Sequence, residues 1–207
     1  MTFILGLTGS IGMGKSTVSG MFRALRVPVF DADAEVHRLQ GPGGALVAAI
    51  EALHPGTTGE QGVDRAALGQ IVLDDPPALA RLEGLIHPEV ARARRAFLRR
   101  HRVAALVVLD IPLLFEKGGW RDVDAIVVVS APRHIQRRRV LSRAGMTPAR
   151  FAAISRLQVP DLQKRRRADF VIDTSGPLIV TRRQVRRLVA CLRVRGGRYW
   201  GHARNCL

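Results

Sequence analysis

Gly9-Ser10-Ile11-Gly12-Met13-Gly14-Lys15-Ser16, with Thr17 behind it, satisfies the pattern G-x-x-x-x-G-K-[ST] at every specified position. The chemistry behind this pattern is the capture of a polyphosphate. Glycines without Cβ let backbone N–H groups turn inward around the anion, and the start of the following helix adds its positive end. Lys15 is expected to reach the β- and γ-phosphates of ATP, and the Ser16 hydroxyl to ligate the Mg²⁺ that bridges them. Gly9, Gly12, Met13, Gly14 and Thr17 complete the expected ATP-binding loop. Working outward, Phe3-Ile4-Leu5-Gly6-Leu7 is an apolar run that predicts a buried strand directly before the loop. On the other side Val18, Met21, Phe22 and Leu25 recur at i, i+3, i+4 and i+7, one face of an amphipathic helix. Strand, loop and helix follow in the order a phosphate site requires.

Further along, Val27-Pro28-Val29-Phe30 predicts a short strand ending at Asp31-Ala32-Asp33. That would set two carboxylates at the carboxyl edge of a sheet, where parallel α/β sheets place their ligands. From Ala34 to about Arg102 the pattern is helical but interrupted at Gly41-Pro42-Gly43-Gly44, at His54-Pro55-Gly56-Thr57-Thr58-Gly59 and at Pro76-Pro77. It predicts an inserted helical subdomain, about 34–102, whose last helix follows His87-Pro88. Ala104-Ala105-Leu106-Val107-Val108-Leu109 and Ala125-Ile126-Val127-Val128-Val129 are continuous apolar runs, as expected of strands covered on both faces. The first ends at Asp110. Arginine-rich helices from about Pro132 and from Pro148 predict a lid over about 132–167. Phe170-Val171-Ile172 predicts a last strand, Val185, Leu188, Val189 and Leu192 a closing helix, and residues 196–207 a loosely held tail. The expected architecture is one phosphate-loop domain over 1–207, a three-layer α/β/α parallel sheet carrying the helical insertion and the lid.

Composition narrows the function. The chain has 207 residues, 47% apolar and 24% charged, and no apolar run approaches the roughly 20 residues that span a bilayer. The amino terminus lacks the basic region and cleavage site of a signal peptide. Cys191 and Cys206 are too few for a disulfide framework and point to a reducing cytoplasm. The formal charge is +16, carried almost wholly by arginine, since Lys15, Lys117 and Lys164 are the only lysines. Such a charge suits either nucleic acid or small polyanions such as ATP and a phosphorylated acceptor. Low aromatic content and the lack of a nucleic-acid motif favour the small polyanions, so no nucleic acid and no membrane partner is expected. Arginine on solvated helix faces accounts for most of the charge. A GTPase would need a guanine-reading Asn-Lys-x-Asp element, and the one asparagine is Asn205. Motifs of motors, transporters and helicases are missing as well. A small phosphotransferase remains, whose mobile arginines close on the migrating phosphoryl and keep water out.

From Leu5 to roughly Pro177 the chain resembles the dephospho-coenzyme A kinase family. The resemblance is carried by Gly6-Leu7-Thr8-Gly9 leading into the loop, Asp31-Ala32-Asp33, Asp64-Arg65-Ala66-Ala67-Leu68-Gly69, Leu82-Glu83 and His87-Pro88. It continues through Asp110-Ile111-Pro112-Leu113-Leu114-Phe115-Glu116, Gln136, Arg139, Arg143, Arg156, Gln158 and Ala168-Asp169-Phe170-Val171-Ile172-Asp173 with Ser175-Gly176. Met13 stands where the family often has Ser. The resemblance implies transfer of the ATP γ-phosphoryl, with Mg²⁺, to the ribose 3′-hydroxyl of dephospho-CoA. Asp33 would then orient or deprotonate that hydroxyl, with capping of the helix after it as the competing reading. Asp31 is open between a polar role in the acceptor site and a structural hydrogen bond. Asp110 ends its strand in the position of a Walker-B acid, near Mg²⁺ or in contact with the acceptor. Arg139 is the expected lid arginine at the phosphoryl, with Arg143 behind it on ATP, although Arg137 and Arg138 have the same helical claim. His87 would shape the acceptor site or serve the fold. The turn at Asp173-Thr174-Ser175-Gly176 either approaches the adenine or needs those residues for its geometry. Another small nucleotide kinase and a basic nucleic-acid-binding ATPase are the alternatives.

Overall fold

The buried runs become strands and the periodic stretches helices in a computed structural model that describes residues 2–72 and 75–195. The tail read as loosely held, 196–207, lies outside the described residues. In chain order the elements are β1 (Phe3–Thr8), α1 (Lys15–Ala24), β2 (Val29–Asp31), α2 (Ala32–Gln40), α3 (Val47–Leu53), β3 (Thr58–Gly59), β4 (Gly62–Val63), α4 (Arg65–Val72) and α5 (Pro76–Arg100). They continue with β5 (Leu106–Asp110), a 3₁₀ turn (Gly119–Asp122), β6 (Ala125–Ser130), α6 (Arg133–Leu141), α7 (Pro148–Arg156), α8 (Asp161–Arg167), β7 (Phe170–Asp173) and α9 (Leu178–Arg195).

Five strands make one sheet in the order β2-β5-β1-β6-β7, and β3 pairs with β4 in a separate antiparallel hairpin. The pairings β1–β5, β1–β6 and β6–β7 are all parallel. β1 lies between β5 and β6, which the chain reaches by crossovers to opposite sides, so the loop leaving β1 sits at the switch point of the sheet. Every residue of β5 and of β6 is buried, the reason their sequences run apolar without alternation.

The chain divides into two units, Asp31–Arg100 and the remainder. In the larger unit Leu5, Leu7, Val18 and Phe22 pack with Val108, Val127, Ile172, Val185 and Leu188, which joins α1 and α9 to the sheet. A second cluster there gathers Leu114, Phe115, Ile126 and Val128, with Val159 and Ala168 against it. The smaller unit has a core of its own, in which Leu39, Leu46 and Ile50 meet Val63, Leu68 and Leu82.

Three details of the smaller unit depart from expectation. Pro76-Pro77 opens α5 rather than breaking a helix, because a proline in the first turn lacks only an N–H that has no intrahelical partner. Pro88 lies inside α5, so the helix does not begin after His87-Pro88. The carbonyl its ring would crowd belongs to Gly84, four residues back, where a Cβ would have open space. The break at 54–59 contains β3, whose turn is held by Glu51 accepting from Gly56 N (2.8 Å) and Thr58 Oγ1 (2.7 Å). Those hydrogen bonds, the Gly56 amide foremost, lower the Glu51 pKa.

No helix among the described residues is long and apolar enough to cross a membrane. Cys191 on α9 is engaged in a disulfide, which the reading of a thiol-keeping compartment did not include.

Candidate active site

The phosphate loop is shaped by close approaches that only glycine allows. Gly12 and Gly14 have φ of 77° and 90°. A Cβ on Gly12 would stand 2.4 Å from Val140 Cγ2 of α6, and one on Gly9 would stand 2.8 Å from the Val129 carbonyl oxygen. α1 then starts at Lys15 with Gly14 as its cap residue and no side-chain cap. Its first-turn N–H groups therefore keep their donors for an anion. Ser16 and Thr17 are exposed at that start, whereas the Met13 side chain is 2% exposed and lies in the core, its Sδ accepting from Ala131 N at 3.2 Å. What Met13 offers a nucleotide is its main chain.

Lys15 Nζ is 2.5 Å from Asp110 Oδ1, with the lysine side chain 15% exposed and the carboxylate 1%. The sheet makes this meeting, since Leu7 of β1 is in register with Asp110 of β5. Asp110 thus holds the ammonium at the mouth of the loop.

Two glutamines, one on α6 and one just after α7, secure the loop. Ile11 donates its N–H to Gln158 Oε1 (3.0 Å), and its carbonyl accepts from Gln136 Nε2 (2.9 Å). A cleft of about 960 Å³ lies beside the loop here, lined by Ser10, Met13, Gln136, Phe151, Gln158 and Asp161 among others. Arg139 is half-buried on α6, its Nη1 donating to Thr174 Oγ1 (3.0 Å) and its Nη2 to the Thr174 carbonyl (2.6 Å). Arg133, Arg137 and Arg138 are exposed, as is Arg143 beyond the end of α6.

Behind α8, Lys164 is fully buried and its Nζ lies 2.8 Å from Glu116 Oε1. Glu116 Oε1 also accepts from Val159 N at 2.8 Å, the residue after Gln158. Burial alone would push the Glu116 carboxyl up, but the Lys164 ammonium and the Val159 N–H together bring it below its ordinary value. Arg167 stacks on Phe115, its guanidinium carbon 4.4 Å from the ring centroid.

The smaller unit carries the remaining expected residues. Asp31 is the N-cap of α2, its Oδ1 accepting from Ala34 N at 3.0 Å. The capping considered for Asp33 therefore falls to Asp31, because α2 begins at Ala32 and Asp33 sits in its exposed first turn. His87 is exposed on α5. The tie of Thr174 to Arg139 was not legible in the sequence, nor was the grip of Gln136 and Gln158 on Ile11. Both glutamines belong to the quoted family pattern without a role attached. Lys164 had one signal, its rarity as a lysine in an arginine-rich chain.

The donor set fits a hard cation of modest protein coordination. Ser16 supplies a hydroxyl and Asp110 a carboxylate, while the described residues hold no cluster of three His, Cys, Asp or Glu that would cage a metal. Mg²⁺ takes one or two protein oxygens and completes its shell with phosphates and water.

The family model for dephospho-CoA kinase matches residues 3–179. A dephospho-CoA kinase from Novosphingobium aromaticivorans is 59% identical over 196 residues, covering 95% of this chain and 98% of that protein. One from Zymomonas mobilis is 50% identical over 195 residues, covering 94% and 99%. Among solved structures, a protein from Thermus thermophilus superposes with a TM-score of 0.81 at 37% identity, covering 91% of this chain and 97% of its own. On this match, which takes in the phosphate loop, the smaller unit and helices α6 to α8 alike, the chain belongs to the dephospho-CoA kinase family.

Proposed function

We infer that the protein phosphorylates the ribose 3′-hydroxyl of dephospho-CoA with ATP to give coenzyme A, the last step of coenzyme A biosynthesis. The observation that carries this is the family match over residues 3–179.

Each residue then has a task. The loop amides and the start of α1 hold the β- and γ-phosphates, with Lys15 supplying a point charge that follows them from ground state to transition state. Arg139 meets the migrating phosphoryl, and Arg143 lies behind it on ATP. Ser16 and Asp110 would hold Mg²⁺, which when bound neutralises charge on the β- and γ-oxygens. A secondary ribose hydroxyl is a poor nucleophile at neutral pH, so Asp33 orients it and accepts its proton late in a loose transition state. Asp31 and His87 serve the acceptor, and the insertion covers its pantetheine arm. Binding energy from that arm positions the hydroxyl, so the substrate works better whole than truncated. The enzyme acts in the cytoplasm on small molecules, without nucleic acid.

The test is product formation with dephospho-CoA, adenosine and AMP, with the new phosphate located by ³¹P NMR. We expect dephospho-CoA to be preferred by about three orders of magnitude in kcat/KM, roughly 4 kcal/mol in barrier. We also expect Asp33→Asn to keep ATP binding and lose transfer. Comparable transfer to AMP, or a phosphate away from the 3′ position, would make the protein a general nucleotide kinase instead.

A further inference from the structure

We propose that the Thr174 hydroxyl is the positioning group for Arg139, and that it ties the arginine to the main chain of the phosphate loop while leaving the guanidinium charge uncancelled. This rests on the reading of Arg139 as the arginine that meets the phosphoryl.

Thr174 is the residue after β7, 6% exposed, and its N–H donates to the Ser130 carbonyl at 2.9 Å, which extends the β6–β7 pairing by one step. Its hydroxyl has one proton to give. The Met13 carbonyl is the nearer acceptor at 2.7 Å, against 3.3 Å for the Ser130 carbonyl. With the proton on Met13, the oxygen lone pairs face Arg139 Nη1 at 3.0 Å, and the Thr174 carbonyl takes Nη2 at 2.6 Å. A single residue therefore grips one guanidinium through two N–H···O bonds. The same side chain braces the loop where Lys15 begins, since a Cβ on Gly14 would lie 3.4 Å from Thr174 Oγ1 and 3.5 Å from its Cγ2.

The chemistry of the acceptors gives this arrangement its point. Both oxygens on Arg139 are neutral, and no carboxylate forms an ion pair with it among the described residues. A carboxylate in the same place would hold the guanidinium more firmly and cancel the charge a phosphoryl group needs. Two of the five guanidinium N–H groups are used, so three remain for anionic oxygens. The hydroxyl also links two things that must agree in the transition state, the shape of the loop at Met13 and the placement of Arg139.

Thr174→Val keeps the shape and removes the hydroxyl, and Thr174→Ser keeps the hydroxyl and removes the methyl. Both are made in the parent and in Arg139→Ala, and kcat and KM for ATP are measured with dephospho-CoA as acceptor. We expect Thr174→Val to lower kcat about tenfold or more while KM for ATP moves less than about threefold, the split of a group felt mainly in the transition state. Thr174→Ser should stay within about threefold of the parent, and Thr174→Val should change little once Arg139 is alanine. If Thr174→Val is harmless, or costs the same factor with and without Arg139, or is matched by Thr174→Ser, the positioning role is wrong. An Arg139→Ala enzyme with parental kcat would instead bring down the reading of Arg139 itself. Should Thr174→Val not fold, Thr174→Cys takes its place with the same expectations, its thiol being a poor donor and acceptor.

Discussion

Lys15 and Lys164 each sit against a carboxylate, and the two pairs do opposite work. Lys15 lies on the loop with Asp110, partly open to solvent, whereas Lys164 points from α8 into the interior against Glu116. At the loop a slender, mobile ammonium is needed to follow a phosphate. On the buried face of α8 a slender stem carries a compact ammonium into the interior, where a planar guanidinium would be bulkier. The outer pair is poised for exchange, since a phosphate can replace Asp110 as the partner of Lys15. No such exchange is open to the inner pair, which anchors Val159 and so the neighbouring Gln158 that grips the loop. An ion pair thus takes its role from what can reach it more than from its distance.

Breaking the outer pair should give the largest effect. Lys15→Ala is expected to lower turnover by about three orders of magnitude or more, while far-UV circular dichroism shows the fold retained. A coupled ADP-release assay on the folded variant checks this, and activity within about tenfold of the parent would end the distinction between the pairs.

Breaking the inner pair should act on stability. Lys164→Met leaves the Glu116 carboxylate without its counter-charge in a poorly hydrated place, a loss of about 3–5 kcal/mol. Adding Glu116→Leu should recover much of that, since two apolar groups need no counter-charge. Urea unfolding of the single and double variants decides it. A double variant no more stable than Lys164→Met would mean that Glu116 matters chiefly through Val159 N.

The smallest effect concerns acid. Glu116 has its carboxyl below the ordinary value of 4.5 when folded, so the unfolded chain takes up the proton more readily. Its contribution to stability is complete above the ordinary value and is lost as pH falls through the lowered one. Between about pH 5 and 3 the melting temperature of the parent should therefore fall more steeply than that of Glu116→Gln. The variant starts lower at neutral pH, because Lys164 keeps no counter-charge. Parallel acid limbs would remove Glu116 from the account.

Legibility followed the range of the interactions. The loop, β1, β5, β6 and the apolar face of α1 could be read because local pattern decides them, as the fully buried β5 and β6 illustrate. Reading failed where a local signal was overruled, as at Pro88 inside α5, and where the partner is remote. Thr174 meets Met13 across 161 positions and Gln158 meets Ile11 across 147. No window of sequence holds both ends of such a bond. Asp31 and Asp33 show the intermediate case: both were marked as polar candidates, and a two-residue difference in where α2 starts assigned the cap to Asp31.

The placement of β1 at the centre of the sheet has a consequence for biosynthesis. Leu5 is in register with Val108 on one side and Ala125 on the other. β1 is thus made about a hundred residues before either of its neighbours, a delay of about 5–20 s at ordinary elongation rates. For that interval Leu5 and Leu7, fully buried in the finished protein, are open to other nascent chains and to holding chaperones. Asp31–Arg100 is finished earlier and brings its own core. Once collapsed, it shortens the effective loop that must close for β2 to meet β5, which lowers the entropic cost of docking the late strands. Slowing translation after Arg100 should therefore leave the insert protease-resistant while the β1 segment is still cut.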